Sequence, residues 1–233
     1  MAERITTSLR ARVRAEMVDE IKRAARRHLA VDGANLSLRA VARDLGMVSS
    51  AVYRYFPSRD ELLTALIIDA YDALGDAAEV AEAQADRGDL VGRWRTVCHS
   101  IRDWAVANPH EYALIYGSPV PGYAAPQDTI GPASRPTVVL GAILADGVAS
   151  GALRVRPGER LSAPVTAEVE RAAELIAPGV PAPVLARGMI AWTELFGAIS
   201  FDLFGRLNNV IDDRRAWFDH QVDAMAELVG LRF

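Results

Sequence analysis

At 233 residues and 51% hydrophobic composition, the chain can bury a substantial core and reads as globular. Its apolar runs stay short of the roughly 18 to 20 uncharged residues of a membrane span, its first residues hold no apolar signal segment, and its single Cys98 excludes an internal disulfide framework, so a cytoplasmic protein with no membrane partner is expected. The net charge of −4 hides an asymmetry: residues 1 to 60 hold twelve basic and seven acidic residues, leaving −9 for the rest, and a basic head on an acidic body suggests a polyanion partner for the head.

No stretch of four or more residues alternates cleanly between apolar and polar, whereas many segments repeat apolar residues at intervals of three and four, so the chain is predicted all-helical. A first helix carries Val13, Met17, Ile21, Ala24 or Ala25, and Leu29 on one stripe and ends at Asp32-Gly33. Ser37 is expected to cap a second helix over 38–45, with Gly46 in the left-handed conformation past its end. Ser49 would cap a short third helix over 49–55, and Pro57-Ser58 precede a long fourth one from Arg59 with Leu62, Leu66, Ile67 and Ala70 inward. Residues 90–107 repeat Val91, Trp94, Val97 or Cys98, Ile101 and Trp104 at helical spacing, and "HEYALIYG" follows as a shorter helix. The segment 117–136 holds five of the twelve prolines and reads as a loop long enough to serve as a lid, a portal or a mobile segment. Helices are expected again over 137–150 and 164–176, and after "APGVPAP" two last ones cover about 183–207 and 214–229.

The stretch from Ser37 to Tyr55 carries the chemistry. Two short helices joined by a turn with Gly46 must cross closely, which needs a small residue at the contact, and Ala42 supplies it. Val41, Leu45, Val48 and Val52 are expected to form the shared apolar wedge. This is the grammar of a helix-turn-helix, whose second helix is short because it only has to enter a major groove. Its outward residues would be small at the N-terminal end, Ser49, Ser50 and Ala51, and polar or aromatic beyond, Tyr53, Arg54 and Tyr55.

Residues 36–63, "LSLRAVARDLGMVSSAVYRYFPSRDELL", resemble the DNA-binding signature of the TetR family of bacterial transcription regulators. The resemblance implies an N-terminal helix-turn-helix domain over 1–58 and a larger helical ligand-binding and dimerisation domain over 59–233. It further implies that Ser37, Arg39, Tyr55 and Arg59 hold the sugar-phosphate backbone while Ser49, Ser50, Ala51, Tyr53 and Arg54 face the groove, although one of Tyr53 and Tyr55 could pack its ring inward. Phosphate contacts set register and base contacts set sequence. The C-terminal part is similar to family members with a Trp-His-Gly-type ligand domain, but here the signature reads Trp192-Thr193-Glu194-Leu195-Phe196-Gly197, with no histidine between Trp and Gly.

One recognition helix reads too few base pairs to find a site in a genome, so a homodimer on a palindromic operator is expected, paired through the last two helices. Leu185, Met189, Trp192, Phe196, Ile199, Leu203 and Leu207 line one and Trp217, Val222, Met225 and Val229 the other, and one side of these stripes is expected to form a four-helix dimer interface, although an intramolecular core shows the same pattern. A small, largely apolar effector is expected among Trp94, Trp104, Tyr112, Tyr116, Tyr123, Trp192 and Phe196. No histidine has the spacing to carboxylates or Cys98 that a metal site wants, no nucleophile-elbow motif is present, and no cofactor is called for. The alternative reading is a regulator whose C-terminal domain answers to a protein partner. A hydrolase is the third and weakest.

Overall fold

Where apolar residues repeat at three and four, the described chain folds as helix. In this computed structural model the backbone is described for residues 2–32 and 36–232, and side chains for 9–31 and 36–232. The helices are α1 (Ala2–Asp32), α2 (Leu38–Asp44), α3 (Ser49–Val52), α4 (Arg59–Gln84), α5 (Leu90–Ala107), α6 (Pro109–Tyr116), α7 (Ile130–Ala149), α8 (Ala163–Ile176), α9 (Ala182–Leu203) and α10 (Arg214–Val229), with no strand among the described residues. Gly33, expected to end α1, lies outside the described residues.

The chain forms two compact units, Met1–Ala70 with His110–Thr129, and Tyr71–Pro109 with Ile130–Phe233. α4 therefore belongs to both: it starts at Arg59, but its first three turns pack in the first unit. There, Ile21 and Ala24 of α1, Val41 and Ala42 of α2, Val52 of α3 and Leu62, Leu63 and Leu66 of α4 share one buried cluster. Asp69 accepts from Lys22 and from Arg26 at 2.7 Å, and Arg26 also reaches Glu111 of α6 at 2.8 Å, so α1, α4 and α6 are tied at one edge. Val13 of the predicted inward stripe is exposed.

In the second unit α5 packs against α7, α9 and α10, and α9 pairs along α10. The Trp94 indole donates to the Val222 carbonyl at 3.3 Å, which fixes α5 on α10. Buried Arg93 lies 2.6 Å from Glu82 and 2.7 Å from Asp146, joining α5 to the end of α4 and to α7. Cys98 is fully buried, and burial pushes its thiol well above the usual range, so it is an inert packing residue.

Three expectations are corrected. α7 begins at Ile130 rather than Thr137, although Pro132 and Pro136 fall inside it. A proline in the first turn loses no hydrogen bond because those N–H groups have no helical partner, so Pro132 is no barrier. The irregular segment is thereby cut to 117–126, ahead of a 3-10 turn at Gln127–Thr129, and it is anchored: Val120 is buried in the first unit's core, and the Tyr123 hydroxyl meets Thr64 Oγ1 at 2.9 Å. Finally, the apolar stripe assigned to pairing is mostly internal, because Leu185, Phe196 and Ile199 of α9 and Val222, Met225 and Val229 of α10 are buried within this chain.

α9 is long and apolar enough by composition to cross a membrane. α7, α8 and α10 pack against one side of it, as on a core helix.

Candidate nucleic-acid interface and ligand cavity

The crossing of α2 and α3 is locked by backbone geometry. Ser37 Oγ accepts from the Ala40 amide at 3.4 Å and starts α2. At the other end Gly46 has φ +65°, its amide donates to Arg43 O at 3.1 Å, and the Met47 amide donates to Ala42 O at 2.8 Å. This paired arrangement turns the chain sharply and needs a left-handed residue at position 46. Ala42 is buried where the helices meet, as its small size requires. The wedge differs from expectation in one member: Val48 is 71% exposed, and Met47 takes the inward position beside Leu45. Val48 rather than Ser49 is the N-cap of α3, with no side-chain cap, and the helix itself covers only Ser49–Val52 before turns carry Tyr53 to Tyr55.

The side chains divide by exposure. Arg39, Ser50, Tyr53 and Arg54 are exposed, Ser37 is exposed while capping α2, and Ser49 and Ala51 are half-buried on the same short helix. Tyr55 packs its ring against the core cluster, and the Arg14 guanidinium lies 5.1 Å from the ring centroid while reaching the Arg54 carbonyl at 3.5 Å. Arg14 is thus a positioning residue that sequence spacing could not expose, since its partners lie forty residues away. Arg59 is half-buried and its Nε donates to the Leu36 carbonyl at 3.2 Å, so it clamps the approach to α2 from the first turn of α4. Ser58 Oγ accepts from the Glu61 amide at 3.1 Å and starts α4.

The second unit contains a cavity of about 130 Å³ lined by α5, α7, α8 and α9. Trp94, Leu140, Leu144, Ile176, Leu185 and Met189 supply apolar wall, and Thr137, Gly141, Gly188 and Trp192 complete it. Of the seven aromatic residues expected around a ligand, the structure brings Trp94 and Trp192 into this cavity. Phe196 stands behind, edge-on to Trp192 with ring centroids 5.7 Å apart. Trp104 is half-buried near the end of α5, outside the lining. Tyr112, Tyr116 and Tyr123 belong to the first unit, where Tyr112 is fully buried and lies tilted against Tyr116 with ring centroids 5.1 Å apart. Leu185 and Met189, expected at a dimer face, are cavity wall.

Arg135, two residues before the first cavity residue of α7, spans three carboxylates of α4. It donates to Asp72 at 2.9 Å, to Glu79 at 2.9 Å and to Asp76. These bonds hold Glu79 below the usual carboxylate range and push Arg135 further up. Gly75 permits the contact, since a Cβ there would stand 2.8 Å from Arg135 Cβ.

Both halves of this arrangement match known protein families. Residues 21–66 match the profile of bacterial regulatory proteins of the tetR family, and residues 94–225 match the tetracyclin repressor-like C-terminal domain. Over 216 residues the chain is 39% identical to the HTH-type transcriptional regulator Rv1816 of Mycobacterium tuberculosis strain H37Rv, covering 88% of each chain. The chain belongs to the TetR family of transcriptional regulators. Among solved structures, SCO4313 superposes with a TM-score of 0.76 at 32% identity, covering 93% of this chain and 98% of that one. The TetR-family regulator PfmR from Thermus thermophilus shares the fold at 19% identity, with a TM-score of 0.59 and coverage of 91% and 99%. The protein is therefore a DNA-binding transcriptional regulator of the TetR family and not an enzyme. Among its described residues no group of His, Cys, Asp and Glu could hold a metal ion.

Proposed function

We propose that this TetR-family chain is a cytoplasmic, ligand-responsive repressor that binds a palindromic operator as a homodimer and is released by a small, largely apolar effector. The observation that carries the DNA-binding half is the α2–α3 surface: a rigid crossing that presents small residues, Ser49, Ser50 and Ala51, between exposed Arg39 and Arg54. Small side chains let a helix backbone approach base edges, and flanking arginines meet the phosphates on either side. In this reading Ser49, Ser50, Ala51, Tyr53 and Arg54 face the groove, and Ser37, Arg39, Tyr55 and Arg59 lie along the backbone, with Arg59 serving partly through its clamp on Leu36.

Dimerisation is assigned to the outward face of α9 with α10. Ile190, Gly197, Phe201 and Phe204 follow one another at helical spacing on α9 and its C-terminal end, and Ile190 and Phe201 are 57% and 55% exposed. Nothing lies within 4 Å of a Cβ built on Gly197, so a second helix could come close there. Trp217 of α10 is also exposed. An apolar row of this kind is what a four-helix pairing would cover.

The effector half rests on the cavity. α7 forms one of its walls and, through Arg135, grips α4, the helix that continues into the first unit. A ligand that prefers one arrangement of α7 over another biases α4 by that difference in affinity and no more. Removing one phosphate contact tests the DNA reading. Arg39→Ala should melt like the wild type, bind every duplex more weakly, and lower the slope of log affinity against log salt by about one. An unchanged slope in a salt titration would remove Arg39 from the interface.

A further inference from the structure

The cavity walls hold no ionisable side chain. A carboxylate or ammonium placed there would lose its water with no counter-charge to replace it. The cations next to lining residues in sequence, Arg93, Arg95 and Arg187, are already engaged, by Glu82 and Asp146, by Asp223 and by Glu159. At about 130 Å³ the space suits one ring with a short substituent, since an apolar cavity of roughly 150 Å³ holds benzene. The two tryptophans of the lining differ in one respect. The Trp94 indole N–H is bonded to the Val222 carbonyl, whereas the Trp192 indole nitrogen is buried with no hydrogen-bond partner. Buried donors are nearly always satisfied, so an unpaired one on a residue that lines the cavity marks a bond that a ligand pressed against that ring can complete. Phe196, edge-on to Trp192, limits how far that ring can turn to find another acceptor.

We infer that the cavity takes an uncharged single-ring molecule with one hydrogen-bond acceptor, held by the indole N–H of Trp192. The inference rests on the proposed effector site for its regulatory consequence, while the ligand class rests on the cavity alone. Trp192 is then the residue that sets specificity, and Leu140, Leu144 and Met189 supply the apolar grip.

Three probes of similar size separate the possibilities: acetophenone, which has the ring and an acceptor; ethylbenzene, which has the ring alone; and benzoate, which adds a charge. Calorimetric titration of the full chain should show acetophenone binding about tenfold tighter than ethylbenzene, the worth of one net hydrogen bond. Benzoate should bind at least about a hundredfold more weakly than acetophenone. In Trp192→Phe, which keeps a ring and deletes the N–H, the preference for acetophenone should vanish with ethylbenzene affinity little changed. Benzoate binding as tightly as acetophenone, or equal affinities for acetophenone and ethylbenzene in the wild type, would overturn the inference whether or not the variant folds. A preference that survives in Trp192→Phe would overturn the role of Trp192. A parallel operator titration with saturating acetophenone reports on the effector reading separately. Unchanged operator affinity there would remove the regulatory role and leave the ligand class standing.

Discussion

Replacing Arg187 by alanine is expected to lower stability by about 3–5 kcal/mol, the range for breaking a buried ion pair from one side. Arg187 is 5% exposed on α9 and spends its whole guanidinium inside the chain. Its Nε donates to the Val229 carbonyl at 2.8 Å, Nη2 to the Arg154 carbonyl at 3.0 Å, and Nη1 to Glu159. Three segments meet at this one side chain: α9, the end of α10, and the turn after α7. Alanine would leave two carbonyls and a carboxylate without their donor. For a chain of this size the loss corresponds to a fall in melting temperature of roughly 10 °C. The effect should also depend on pH. Burial pushes the Glu159 carboxyl upward, but hydrogen bonds from Arg187 and the Arg156 amide outweigh it and hold the group below the usual carboxylate range. A carboxyl lowered in the folded state contributes stability above its unfolded pKa and loses it as pH falls through the folded one. The gap between wild type and Arg187→Ala should therefore narrow below about pH 4, the unfolded carboxylate range. Thermal melts of both proteins across that range check this, and a gap independent of pH would mean Glu159 is not the partner that matters.

Gly141→Ala should be the most damaging single-methyl addition. A Cβ at this position in α7 would collide with the Ile176 carbonyl oxygen and stand 3.0 Å from its carbon, at the end of α8. Both are backbone atoms, so no side chain can swing away to make room. Overpacking of this kind costs about 1–3 kcal/mol and sometimes more, against which alanine returns about 1 kcal/mol of helix propensity. The net expectation is a loss of about 1–2 kcal/mol with α7 and α8 moved apart. Because Gly141 also lines the cavity, the same variant should bind single-ring ligands more weakly. Chemical denaturation gives the first effect and ligand titration the second, and a variant as stable as wild type would show that α7 and α8 approach each other less closely than this.

How much of this could be read without coordinates depends on the range of each interaction. The helix-turn-helix was legible because its determinants are local: Ser37 capping, Ala42 at the crossing and Gly46 in the left-handed turn sit within ten residues. Val48 escaped because helical spacing does not extend through a turn, where Met47 points inward instead. Pro132 and Pro136 argued for a loop, yet Pro132 lies in the first turn of α7, where it loses no hydrogen bond, and the helix from Ile130 continues through Pro136. The apolar stripes of α9 and α10 were visible as stripes, but periodicity cannot say whether a face meets its own chain or another. Leu185 and Ile199 went to the core while Ile190 and Phe201 stayed outside. The cavity was least legible, since its walls come from four helices spread over about a hundred residues. The unpaired Trp192 nitrogen and the internal partners of Arg187 depend on that assembly, and no local pattern announces them.

The central claim is that the α2–α3 surface grips duplex DNA, and the direct measurement is an anisotropy titration of labelled duplexes tiling the intergenic region beside the chain's own gene. The comparison is with Ser50→Glu, an exposed position on α3 where a carboxylate would oppose the phosphates without disturbing the core. The wild type is expected to bind one tile selectively at physiological salt, and Ser50→Glu, melting at the same temperature, to bind it at least about a hundredfold more weakly, because like charges brought together at an interface cost several kcal/mol. A folded Ser50→Glu protein that held the same tile with wild-type affinity would contradict the account.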